Sequence, residues 1–92
     1  MGYKKIESQE EYDLMLIQFK ARLNEFSKPF RMLKEPIKFY EDYISLFEWA
    51  EGIGLFSKEY CTQQKQRLID GFNNADLKER FKKALRRRGI IK

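Results

Sequence analysis

Eight of the last eighteen residues are basic: Lys78, Arg80, Lys82, Lys83, Arg86, Arg87, Arg88 and Lys92, against only Asp76 and Glu79. Residues 75–92 therefore carry a net +6, while the full chain of 92 residues is +5 from 19 basic and 14 acidic side chains. By difference the first 74 residues hold 11 basic and 12 acidic groups, a net of −1. Cations at that density suit phosphate chemistry, because each neutralised phosphate releases condensed counterions and adds salt-sensitive affinity. Asp76 and Glu79 are spaced to pair with Arg80 and Lys83. Lys78–Lys82, Lys82–Arg86 and Lys83–Arg87 are like-charge pairs at i,i+4, which mildly destabilise an isolated helix. An anionic partner would relieve that repulsion. The competing readings of the same cations are an acidic protein surface, intramolecular pairing, or plain solubility.

Other reactive side chains are few. The chain has no histidine and one cysteine, Cys61, so no histidine base, disulfide or multi-cysteine zinc site is expected. Cys61 has no evident activator and reads as a small core residue. The carboxylate pairs Glu10/Glu11, Glu41/Asp42 and Glu48/Glu51 match the solvated faces of amphipathic helices. Gly52-x-Gly54 follows a helical pattern rather than a strand, so it lacks the setting of a dinucleotide-binding loop. Neither an enzyme, nor a cofactor, nor a metal is expected.

The elements that must position the basic run are all helical. Ser8 and Glu11 have capping-box spacing. Tyr12, Met15, Leu16, Phe19, Leu23 and Phe26 then recur at three- and four-residue steps, with Leu14, Ile17 and Ala21 widening the stripe. This predicts a first helix over 9–26, ended by Ser27-Lys28-Pro29, with Tyr3 and Ile6 packing back from the lead-in. Phe30, Met32 and Leu33, between Pro29 and Pro36, are expected to plug a gap in the core. Pro36 suits the first position of a helix over 36–51, rich in aromatics (Phe39, Tyr40, Tyr43, Phe47, Trp49) and stopped by Gly52. Ser57 caps a third helix over 58–70, with Gly71 ending it and Asn73 or Asn74 capping the next. A fourth helix over 75–88 gathers Leu77, Phe81, Ala84 and Leu85 within a ~100° arc. Gly89 and Ile90 give it a Schellman ending against Leu85.

The expected fold is a small all-α bundle of about four helices in one domain, with an aromatic-rich core. Fourteen aromatic residues supply the buried area that so short a chain needs. The third and fourth helices have the proportions of a helix-turn-helix, which would aim Asn73, Asn74, Lys78 and Lys82 at base edges. The densest charge lies at the far end of the fourth helix, better placed for backbone contact. The second helix, apolar over most of its girth, would be central or serve a homodimer, with Trp49 its most exposed ring. Gly54, Ser57, Glu59, Lys65, Leu68 and Ile69 resemble the helical hairpin of short C-terminal SHOCT domains, over less than a fifth of the chain. The acidic-aromatic pair of that motif is one residue short here.

No apolar run approaches the ~18 residues of a membrane span, and the N-terminal Met-Gly lacks the Ser/Thr of a myristoylation signal, having Ile6 there. A cytoplasmic location is expected. Functionally, the residues point to a small non-catalytic nucleic-acid-binding protein, DNA rather than RNA, serving as a regulator or accessory factor. It would contact phosphates through the basic C-terminal helix: Lys78, Arg80, Lys82, Lys83, Arg86, Arg87 and Arg88, with Asn73 and Asn74. The alternative is a protein-interaction module, either an inhibitor or adaptor on an acidic partner or an oligomerisation unit.

Overall fold

Ser8 starts the first helix as its spacing dictates: the hydroxyl accepts from the Glu11 amide at 3.1 Å. The Glu11 carboxylate reaches back to the Glu7 amide at 3.3 Å, one residue earlier than a strict capping box would place it. The computed structural model describes residues 3–26 and 33–92. Within them, four helices follow in order: α1 (Gln9–Asn24), α2 (Pro36–Gly52), α3 (Lys58–Asn74) and α4 (Glu79–Arg87). No strand occurs among the described residues. The expected helix break at Ser27-Lys28-Pro29 and the plugging role of Phe30 and Met32 lie outside the described residues.

The fold is a small all-α bundle organised on α2. Pro36 occupies the first position of α2, where its missing N–H costs nothing. α1 runs antiparallel to α2, since Phe19 meets Phe47 while Phe26 meets Phe39. α3 returns antiparallel on another side, bringing Phe72 to Phe39. The molecule is elongated, 46 Å against 22 and 20 Å, and buries two apolar clusters along that length. The first joins Phe19 to Leu46, Phe47, Ala50, Ile53, Leu55 and Cys61. The second joins Leu68 and Phe72 to Leu77, Leu85, Ile90 and Ile91.

Aromatic rings bridge the two clusters. From Phe56 the contacts run through Phe19 (4.9 Å), Phe47 (5.2 Å), Tyr43 (4.8 Å), Phe26 (5.5 Å) and Phe39 (5.1 Å) to Phe72 (6.1 Å). Most of these are edge-on pairs, each worth about 0.5–1.5 kcal/mol beyond the area they bury. The rings of α2 are thus spent on the core, and none is among the large exposed apolar side chains. The central position expected of α2 is the one these contacts give it. Trp49 is only partly exposed and lies under the Arg22 guanidinium, 5.4 Å from its ring centre.

α1 stops at Asn24 rather than 26, and boundaries of α2, α3 and α4 also differ from expectation, with the packing around them. α2 passes through Gly52 and ends with Ile53 as the last helical cap and Gly54 left-handed at φ +82°. The Gly54 and Leu55 amides close a Schellman ending on the Glu51 and Ala50 carbonyls at 3.0 and 2.9 Å. Gly52 instead makes room for the Tyr3 ring, which a Cβ there would strike. The lead-in is held alongside by the Ile6 amide on the Ile53 carbonyl at 2.8 Å.

α3 likewise runs through Gly71 to Asn74 rather than stopping at 70. A helical glycine costs about 1 kcal/mol relative to alanine. Burying Phe72 completely returns about 1.5–3 kcal/mol, and the helix continues. α4, in turn, begins at Glu79, not at 75. Leu77 is buried from an extended approach to the helix, not from a stripe on it.

Candidate nucleic-acid interface

The basic helix is fixed to the body by its apolar side. Leu85 is fully buried. Beyond the helix the Gly89 amide bonds the Arg86 carbonyl and the Ile90 amide bonds the Leu85 carbonyl, both at 3.0 Å, with Gly89 at φ +74°. This is the Schellman ending expected of the sequence. It turns Ile90 and Ile91 into the second cluster. The C-terminus is therefore packed, and the cations of α4 project from an anchored element.

At 100° per residue, Arg80, Lys83 and Arg87 fall within about 60° of one another, on the side of α4 away from Leu85. They form a ridge about 10 Å long at 1.5 Å per residue. All three are exposed, and none has an acidic partner among the described residues. Arg80 lies with its guanidinium 4.9 Å from the Phe81 ring centre, which steadies it along the helix. Lys78 stands at the N-cap, exposed and making no side-chain cap. Lys82 is half-buried on the flank.

Arg86 and Arg88 are engaged within the molecule. Arg86 meets Glu79 at 3.4 Å and donates from Nε to the Lys92 carbonyl at 3.3 Å. Arg88 meets Glu41 of α2 at 3.3 Å. Both pairs are substantially exposed, and surface pairs of this kind contribute only about 0–1 kcal/mol. An incoming anion can compete for either arginine. The expected Glu79–Lys83 pair gives way to Glu79–Arg86, which leaves Lys83 on the open ridge.

Asn73 and Asn74 stand differently from expectation. Both belong to the last turn of α3, where their side-chain amides donate to the Ile69 and Asp70 carbonyls at 3.2 and 2.8 Å. They do not cap α4. The α3–α4 connection is Ala75–Lys78, with no glycine, and the first turn of α4 presents Glu79. A helix-turn-helix that reads bases with the N-terminal turn of α4 would bring that carboxylate toward phosphates. The favourable charge lies along the ridge instead, in a position to meet a backbone.

The other candidate chemistry does not assemble. No three potential metal-ligating side chains cluster among the described residues. Cys61 is buried at the start of α3, and burial pushes its thiol pKa up, with Glu51 adding to the rise and Lys65 opposing it. No helix among the described residues is long and apolar enough to cross a membrane. Leu14 and Ile17 are largely exposed on α1, although they belong to the stripe expected to be core. In comparisons with known proteins, no family model, no curated protein and no solved structure matches this chain. The SHOCT resemblance gains no support from them.

Proposed function

We propose that the chain is a small non-catalytic nucleic-acid-binding protein, a cytoplasmic regulator or accessory factor, that lays the Arg80–Lys83–Arg87 ridge along a phosphate backbone. The observation that carries this reading is three unpaired cations within one arc of a helix whose other side is locked into the core. Self-repulsion on such a ridge is relieved by an anion of matching length. One strand of B-DNA presents a phosphate for every ~3.4 Å of helix axis, so cations spread over about 10 Å have several phosphates within reach. Lys78 and Lys82 can add flanking contacts, and Arg86 and Arg88 can join on release from Glu79 and Glu41.

Duplex DNA is favoured over RNA on two grounds. A convex cationic helix fits the rim or the wide major groove of B-DNA, whereas the deep groove of an A-form duplex excludes it. Single-stranded RNA recognition relies on exposed stacking rings. Among the described residues the largely exposed aromatics, Tyr3 and Tyr60, lie in the lead-in and at the start of α3, off the basic helix.

A second reading, docking on an acidic protein, is favoured by the carboxylates that already engage Arg86 and Arg88. Fluorescence anisotropy with a labelled duplex at low salt separates the two. Binding by the wild-type chain, lost in the Arg80→Glu/Lys83→Glu/Arg87→Glu variant with its helical circular dichroism intact, is the expected outcome. A wild-type chain that leaves the duplex free at low salt overturns the nucleic-acid reading.

A further inference from the structure

α1 carries two apolar stripes. One, centred on Phe19, faces α2. The other lies on the opposite side and contains Leu14, Ile17 and Ala21. Leu14 is 52% exposed and Ile17 65%, among the largest exposed apolar side chains of the described residues. Glu10, Leu14, Ile17 and Ala21 follow one another at four-, three- and four-residue steps, the spacing of a coiled-coil seam. Asp13 and Lys20, one heptad apart, flank that seam on the same side, and both are exposed.

We propose that this outer stripe is a self-association surface, on which α1 packs against α1 of a second copy with the two helices antiparallel. Charge selects both the occupant and the direction. In the antiparallel register that sets Leu14 of one copy against Ile17 of the other, and the reverse, Asp13 meets Lys20 of the second copy and Lys20 meets its Asp13. Two ion pairs thus flank one apolar seam about a two-fold axis, as closed symmetric dimers require. Glu10 then lies opposite Ala21 at the rim. A parallel arrangement would press Glu10 against Glu10 in the seam. The proposal is independent of the nucleic-acid reading, since it concerns neither α4 nor any anion.

The contact is small. Two helices of 16 residues, touching along one stripe, fall short of the ~1,200–2,000 Å² buried by stable dimers, so a Kd on the order of 100 µM is expected. Sedimentation equilibrium on the full chain without nucleic acid should show a monomer–dimer equilibrium in that range. Ile17→Glu should weaken it at least about tenfold, leaving the thermal midpoint of the monomer unchanged because the side chain is exposed. Asp13→Lys alone and Lys20→Asp alone should each weaken association, and the double variant should restore it by exchanging the signs of both pairs.

Three results overturn the proposal. One is a monomer at every concentration up to about ten times that Kd. Another is a dimer indifferent to Ile17→Glu. The third is association strengthened by Lys20→Asp and lost in Lys83→Glu/Arg87→Glu, which would seat the stripe on the basic α4 of the second copy.

Discussion

Leu85→Ala probes the packing on which the basic helix depends. Leu85 is fully buried in the second cluster, with Leu68, Phe72, Leu77, Ile90 and Ile91. Truncating a leucine in such a site removes its transfer free energy and leaves a partly collapsed cavity, together about 2–5 kcal/mol. A chain of this length has a total stability of about 5–10 kcal/mol, so a loss of about 3 kcal/mol removes a large share of it. For a domain of this size each kcal/mol moves the midpoint by about 4–8 °C, and a fall of about 12–24 °C is expected. Thermal and urea unfolding followed by circular dichroism measure it. Trp49 fluorescence adds a second probe, since Trp49 packs against the first cluster and Leu85 lies in the second. The ring path through Tyr43 and the Phe39–Phe72 contact joins the clusters, so both probes should shift together. A loss below about 1 kcal/mol would refute the anchoring of α4.

Three further outcomes follow from the backbone and the buried thiol. Gly54→Ala and Gly89→Ala each force a left-handed residue that carries a Cβ, and each should cost about 1–2 kcal/mol in urea unfolding. Gly89 has open space around it, so its cost is backbone strain alone. Gly52→Ala acts on the Tyr3 ring instead, with a gain of about 1 kcal/mol in helix propensity offsetting the displaced side chain, so its net change should stay below about 1 kcal/mol. For Cys61, burial raises the folded-state pKa, so the unfolded chain releases its proton first and stability declines as the pH rises. The contribution is whole below the ordinary thiol pKa of about 8.5 and is lost progressively above it, with Tyr43, also raised by burial, extending the decline past about 10. Urea midpoints across that range should fall, and Cys61→Ala should flatten the earlier part. A midpoint rising with pH would contradict the assignment.

Caps and turns were the most legible part of the sequence, because their chemistry is local. Ser8, Pro36, Ser57 and Gly89 each do what their neighbours in the chain imply: the Ser57 hydroxyl accepts from the Tyr60 amide at 3.1 Å, and Gly89 takes the left-handed turn. The misplaced boundaries were settled by tertiary contact instead. Gly52 and Gly54 are equally good stops by composition, and the Tyr3 ring over Gly52 is a contact between distant residues. Gly71 reads as a stop until Phe72 is seen to be buried against Phe39. Of the basic residues, periodicity located the helix but not the pairing: Glu79 bonds Arg86, seven residues on, although Lys83 stands at the i+4 spacing. Nor does spacing alone tell which of two apolar stripes on α1 is covered. Phe19 has its partners on α2, while Leu14 and Ile17 remain exposed.

The salt dependence of duplex binding tests the phosphate ridge most directly. With Arg80, Lys83 and Arg87 engaged and Lys78 and Lys82 in reach, about three to five phosphates are neutralised, so log K against log salt should fall with a slope of about −2.7 to −4.5. Replacing the three ridge residues with glutamate should abolish that dependence along with the binding. A wild-type slope shallower than about −1, or no binding at low salt, would contradict the account.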